Sequence, residues 1–167
     1  MAAEETLPLT FTGGHETDPR DHGRPVVLIA AALDVKPEVF REAFSGVTPA
    51  RNGRPSGEEA RRNKEALMKV LRPHGITNER LDEVSNYYRY RPQNGELWTT
   101  SNPKAHAVME SGKIKKIVVT EGGSGFSSAP TATIQGLKDV SLKVTVQYGT
   151  ELKKNGAISA IEILPAK

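Results

Sequence analysis

Apolar positions along this chain follow two periods. Up to about Tyr88 they recur every three or four residues, as on one face of a helix; from His106 onward they alternate, as on a pleated strand. The helical part predicts four elements. Val26 to Leu33 is an unbroken apolar run, too apolar for a surface helix and therefore a core one. Asp34-Val-Lys-Pro37 interrupts it. Pro37 suits the first turn of a second helix, Glu38 to Phe44, with Val39, Phe40, Ala43 and Phe44 as its inner stripe. Residues 49–57, rich in proline and glycine, read as a loop. Ser56-Gly-Glu-Glu59 has the form of a capping box and opens a third helix, Glu58 to Leu71. Its inward side is Ala60, Leu67, Val70 and Leu71; Arg61, Arg62, Glu65 and Lys69 face solvent. Pro73 and Gly75 stop it, and Thr77 caps a fourth helix, Asn78 to about Tyr88, with Leu81, Val84 and Tyr88 inward.

The alternating part centres on residues 112–134. Lys113 to Thr120 is rich in β-branched residues and reads as a half-buried strand. Gly122-Gly-Ser-Gly125 permits the positive φ values of a tight turn, Phe126 folds back as an apolar plug, and Thr131 to Ile134 alternates again. The segment therefore predicts a hairpin. A phosphate cradle is the competing reading of such glycines, but it needs a helix after the loop, and a proline and a strand follow instead. Leu142, Val144, Val146 and Tyr148 alternate with polar residues. Lys153-Lys-Asn-Gly156 ends in the Asn-Gly hairpin signal, and Gly156 to Leu164 repeats the pattern of Gly112 to Val119. Leu7, Leu9 and Phe11 predict one short strand near the start, and His106 to Met109 another.

These elements define an α+β protein: an N-terminal bundle of about four helices packed on a small C-terminal antiparallel sheet. The expected organisation is a helical region 1–95, a linker 96–103 carrying the only tryptophan, Trp98, and a β region 104–167, joined as one composite domain through Trp98 and the tyrosines. Charge marks the same boundary. All 11 arginines lie at or before Arg91, and every later basic residue is lysine. At 167 residues the chain is long enough for a real core. Its longest apolar run is far shorter than the roughly 20 residues of a membrane-spanning helix. A net charge of +3 is too small an excess to argue for nucleic acid. With no cysteine, disulfides, thiol catalysis and cysteine-ligated metal are excluded.

Three stretches carry candidate chemistry. His15, Glu16, Asp18, Asp21 and His22 gather imidazole and carboxylate within eight residues, a donor set suited to several divalent metals. The same stretch also reads as helix initiation, with Asp18 as N-cap, Pro19 in the first turn and Asp21 as capping partner. Ile29 to Arg41 has the outline of a DNA-binding helix-turn-helix, although Asp34 stands at the usual turn glycine, and Glu38 and Glu42 would repel phosphate. Tyr87, Arg89, Tyr90 and Arg91 mix aromatic and guanidinium groups, as interaction surfaces for stacked partners do; alternatively the tyrosines close the helix against the sheet. No cofactor motif is present.

Residues 119–131, Val-Thr-Glu-Gly-Gly-Ser-Gly-Phe-Ser-Ser-Ala-Pro-Thr, resemble the glycine-rich GGSGYTSAPTV-type β repeats of exported bacterial and phage tail proteins, with Phe126 at the usual tyrosine. Residues 156–164 form a truncated second copy. The helical half, through Asp18-Pro-Arg-Asp-His-Gly-Arg-Pro25 and Val84-Ser-Asn-Tyr-Tyr-Arg-Tyr90, is similar to an uncharacterised family of exported planctomycete proteins that end in such a β segment. The resemblance implies an extracellular, periplasmic or cell-envelope setting and supplies no active site. Ala2-Ala-Glu-Glu5 suits an N-terminus left by signal cleavage. The expected function is non-catalytic binding or assembly, with a protein or cell-surface component, or a second copy, as partner. A metal-dependent enzyme built on His15–His22 and a helix-turn-helix DNA-binding protein are the alternatives.

Overall fold

The computed structural model describes residues 4–21, 23–45, 57–89 and 97–165. Strand β1 (Glu4–Thr12) leads into a single 3-10 turn at Pro19–Asp21. Helices α1 (Val26–Ala32), α2 (Pro37–Phe44), α3 (Gly57–Leu71) and α4 (Asn78–Tyr87) follow. Strands β2 (Lys104–Glu110), β3 (Lys113–Glu121), β4 (Thr131–Ile134), β5 (Leu142–Gln147) and β6 (Ala157–Ile163) complete the chain. The fold is α+β, with its helices before most of its strands.

Each helix boundary has a local cause. α1 closes in a Schellman turn. Val35 N–H donates to Ala30 O (2.9 Å), Asp34 N–H donates to Ala31 O (3.0 Å), and Asp34 itself takes φ +59°. Aspartate tolerates this left-handed conformation, so the corner forms without a glycine. Thr77 Oγ1 accepts from Arg80 N (3.1 Å) at the start of α4, and Gly75, left-handed at φ +84°, ends the turn after α3. Ser56, the expected cap of α3, lies outside the described residues. Leu28, Ile29, Phe40, Ala43, Met68, Leu71, Leu81, Val84 and Tyr88 form one core that also takes in Trp98. Along α3, Leu71 and Met68 are the buried residues; Ala60, expected inward, is exposed.

The sheet departs from the expected hairpin. Its order is β3-β2-β1-β4, all antiparallel: three strands neighbour one another in sequence order, and the fourth returns to lie beside the first. This is a Greek-key order with the helical block inserted between strands one and two. β3 and β4 flank the glycine run but sit on opposite edges. The hairpin turn lies instead at Ser111 (φ +53°) and Gly112 (φ +79°), joining β2 to β3; two consecutive positive φ values make it the primed turn that matches strand twist. β1, from the far N-terminus, fills the place the sequence assigns to a neighbour. The first strand therefore belongs with the sheet and not with residues 1–95 as a helical region.

β5 and β6 form a separate antiparallel pair. It covers one face of the larger sheet, burying Ala132, Val144, Ile158 and Phe126 together with Leu9, Phe11 and Val119. A second cluster holds Ala107, Met109 and Ile134 with Leu7, Ile114 and Ile117. On the opposite face Thr10 pairs with Thr133 and Thr12 with Thr131, all four exposed, whereas Val108, across from Thr6, is buried. No helix among the described residues is long and apolar enough to cross a membrane.

Candidate functional site

The chemically loaded segments meet where the helical block rests on the β layers. Trp98 is buried within the helical core, and its indole N–H donates to Gly125 O (2.8 Å). His15 stacks on Phe126 at 5.3 Å between centroids and stands edge-on to Trp98 at 5.8 Å. Burial in this aromatic setting lowers the His15 pKa from its usual 6.5, with the neighbouring Glu16 carboxylate opposing the shift. The backbone beside it is stitched down, since Gly14 O accepts from Ser127 N (2.9 Å) and Glu16 O from Ser127 Oγ (2.7 Å).

The glycine run is a packed crossing rather than a loose turn. Ser124 and Ser101 exchange backbone hydrogen bonds of 3.1 Å each. Gly125 N donates to Asn155 O (2.9 Å), Phe126 N to Gly156 O (3.1 Å), and Gly122 O accepts from Ile158 N (2.8 Å). A Cβ on Gly123 would lie 2.7 Å from Ser101 O, and one on Gly125 would lie 2.8 Å from Thr99 O. Only glycine admits two backbones at this distance. The amides of Ser124, Gly125, Phe126 and Ser127 all donate within the protein, so they form no anion cradle.

Asn155 ties the layers together. It is fully buried. Its Nδ2 donates to Leu28 O on α1 (2.7 Å) and to Tyr88 Oη at the end of α4 (2.9 Å), and its Oδ1 accepts from Gly149 N (3.0 Å). Burial pushes the Tyr88 hydroxyl pKa up to about 12, so it stays protonated and can both donate and accept. Asn155-Gly156 is therefore no tight hairpin turn. It closes the loop between β5 and β6, and Gly156, at φ +73°, lies so near Phe126 and Leu28 that a Cβ would meet Leu28 Cδ2 at 2.6 Å. Nothing in the periodicity marks Asn155 as buried; the Asn-Gly pair reads as a surface turn in any sequence.

Of the expected metal donors, each described member has another partner. Asp18 accepts from Arg20, whose guanidinium holds its carboxyl well below the usual carboxylate range. It also caps the 3-10 turn, accepting from Arg20 N at 2.9 Å; the turn stops there and does not run on as a helix. Asp21, buried, receives a two-pronged bond from Arg41 on α2, Nε to Oδ1 and Nη2 to Oδ2, both 2.9 Å. Glu16 binds the Ser128 hydroxyl, which lowers its pKa. His22 lies outside the described residues. Among the described residues no three metal-ligating side chains converge.

The aromatic–arginine candidate divides similarly. Tyr87 is half-buried, edge-on to Tyr88 at 5.0 Å, and packs on the helical core. Arg89 is exposed and donates to Asn86 Oδ1 (3.1 Å); Tyr90 and Arg91 lie outside the described residues. On α2, the helix that would read DNA, the exposed side chains are Glu38 and Glu42. Compared with known protein families, with curated proteins and with solved structures, the chain matches none.

Proposed function

We propose that this chain is a non-catalytic binding or assembly protein working outside the cytoplasm. The observation that carries the reading is the use made of its polar chemistry. The groups a reaction would recruit are engaged within the fold: Tyr88 and Asn155 bond each other across the joint between helices and strands, His15 stacks there on Phe126, Ser124 bonds Ser101, and Asp21 is held by Arg41 of α2. The exposed cross-strand pairs Thr10–Thr133 and Thr12–Thr131 offer a polar strip to a partner. The likeness of residues 119–131 to repeats of exported proteins supports the compartment. Two measurements test it: elemental analysis of protein purified without chelator, and immunodetection of the native product in cell fractions. The expected result is trace metal only, with the protein in the envelope or culture fluid. Stoichiometric metal that disappears in His15→Ala would replace this reading with the metal enzyme, and a cytosolic location would remove export.

A further inference from the structure

Asn155-Gly156 is chemically unlike its surroundings. Asn-Gly is the dipeptide most prone to spontaneous deamidation, because glycine puts no side chain in the way of ring closure. Hydroxide removes the Gly156 amide proton, and the nitrogen attacks Asn155 Cγ. The bond from Cγ to the side-chain nitrogen breaks and ammonia leaves. Water then opens the five-membered imide at either carbonyl, giving aspartate or isoaspartate. The fold obstructs every stage. Gly156 N–H is held by Gln147 O at 2.9 Å. The Asn155 amide is bonded at both ends and has no access to water.

We propose that Asn155 is a latent self-modification site, protected while the protein is folded and exposed whenever it unfolds, so that a prolonged excursion becomes irreversible. The product explains the irreversibility. Aspartate at 155 cannot donate to Leu28 O, and it carries a charge into a fully buried site. Isoaspartate also lengthens the backbone beside Gly156, where Phe126 and Leu28 leave no room. Unfolding time, rather than unfolding itself, then sets the loss of active material.

The test uses the full chain. Parallel samples are aged at mildly alkaline pH in native buffer and in concentrated urea, and residue 155 is followed by peptide mass mapping. Conversion is expected in urea at the rate of the other two Asn-Gly pairs in the sequence, Asn52-Gly53 and Asn94-Gly95. In native buffer, conversion at 155 is expected to be at least tenfold slower than in urea. Equal rates in the two buffers would overturn the protection. On removing urea, the fraction that fails to refold should be enriched in converted 155; an even distribution between refolded and non-refolded material would overturn the irreversibility. Asn155→Asp made directly should not regain the parent's cooperative transition, and a parent-like melting curve would likewise end the proposal.

Discussion

Replacing Asn155 by alanine tests the central physical claim, that its buried amide is a principal tie between helices and strands. The substitution removes three hydrogen bonds, of 2.7, 2.9 and 3.0 Å, at a fully buried site. It leaves Gly149 N–H and Tyr88 Oη facing a space with no replacement partner. At about 1–1.5 kcal/mol for each bond the expected loss is about 4 kcal/mol, and the lost side-chain volume acts in the same direction. Domains carry roughly 5–15 kcal/mol in all, so this is a large fraction. For a chain of this length it corresponds to a melting point lower by about 8–16 °C. Tyr88→Phe deletes only one partner and should cost about 1 kcal/mol. Urea titrations followed by Trp98 emission are the assay, because the only tryptophan sits at the same joint; far-ultraviolet dichroism in parallel checks that the transition is a single one. A loss of less than about 1 kcal/mol for Asn155→Ala in these titrations would refute the reasoning.

Three other expectations follow from the geometry. Arg41→Met removes the two-pronged partner of the buried Asp21 carboxylate, with Arg20 and Arg24 still near it, and should cost about 1.5–3 kcal/mol, while the double change Asp21→Asn with Arg41→Met recovers much of that loss, as urea midpoints will show. Gly156→Ala should fail to fold, given a 2.6 Å clash at φ +73°; Gly57→Ala, in open space on the first turn of α3, should raise stability by about 0.5 kcal/mol. For His15, burial lowers the folded pKa below 6.5, so the unfolded chain binds the proton more readily. Its contribution is complete above about pH 6.5 and is lost as pH falls from there through the folded value. Melting curves at pH 7.5 and 5 should differ more for the parent than for His15→Gln; an identical difference would show that His15 plays no part.

The helical half was legible because each helix announces its ends within a few residues. Pro37, Thr77 and Gly75 act locally, and the apolar stripes of α2 and α4 need no distant partner to be recognised. Strand positions were legible for the same reason. Strand partners were not, since register depends on which edge a strand meets, and Leu9 meets Ile134 across most of the chain. The joint was legible at Trp98 and Tyr88, aromatic residues whose size favours burial, but not at Asn155. Asp21 resembled a cap because its true partner, Arg41, is 20 residues away on another helix. Asp34 shows the opposite case: a residue that argued against a tight corner takes the left-handed conformation a glycine would have supplied.

The place of β1 bears on how the chain is made. Leu7 is translated a hundred residues before Ala107, its neighbour in the sheet. While the ribosome works through the intervening helices, these can close on one another, but Leu7, Leu9 and Phe11 have nothing to lie against. A nascent chain stopped before Lys104 thus couples a settled helical block to an adhesive leading strand, and a chaperone that shields extended apolar segments should bind it until β2 emerges.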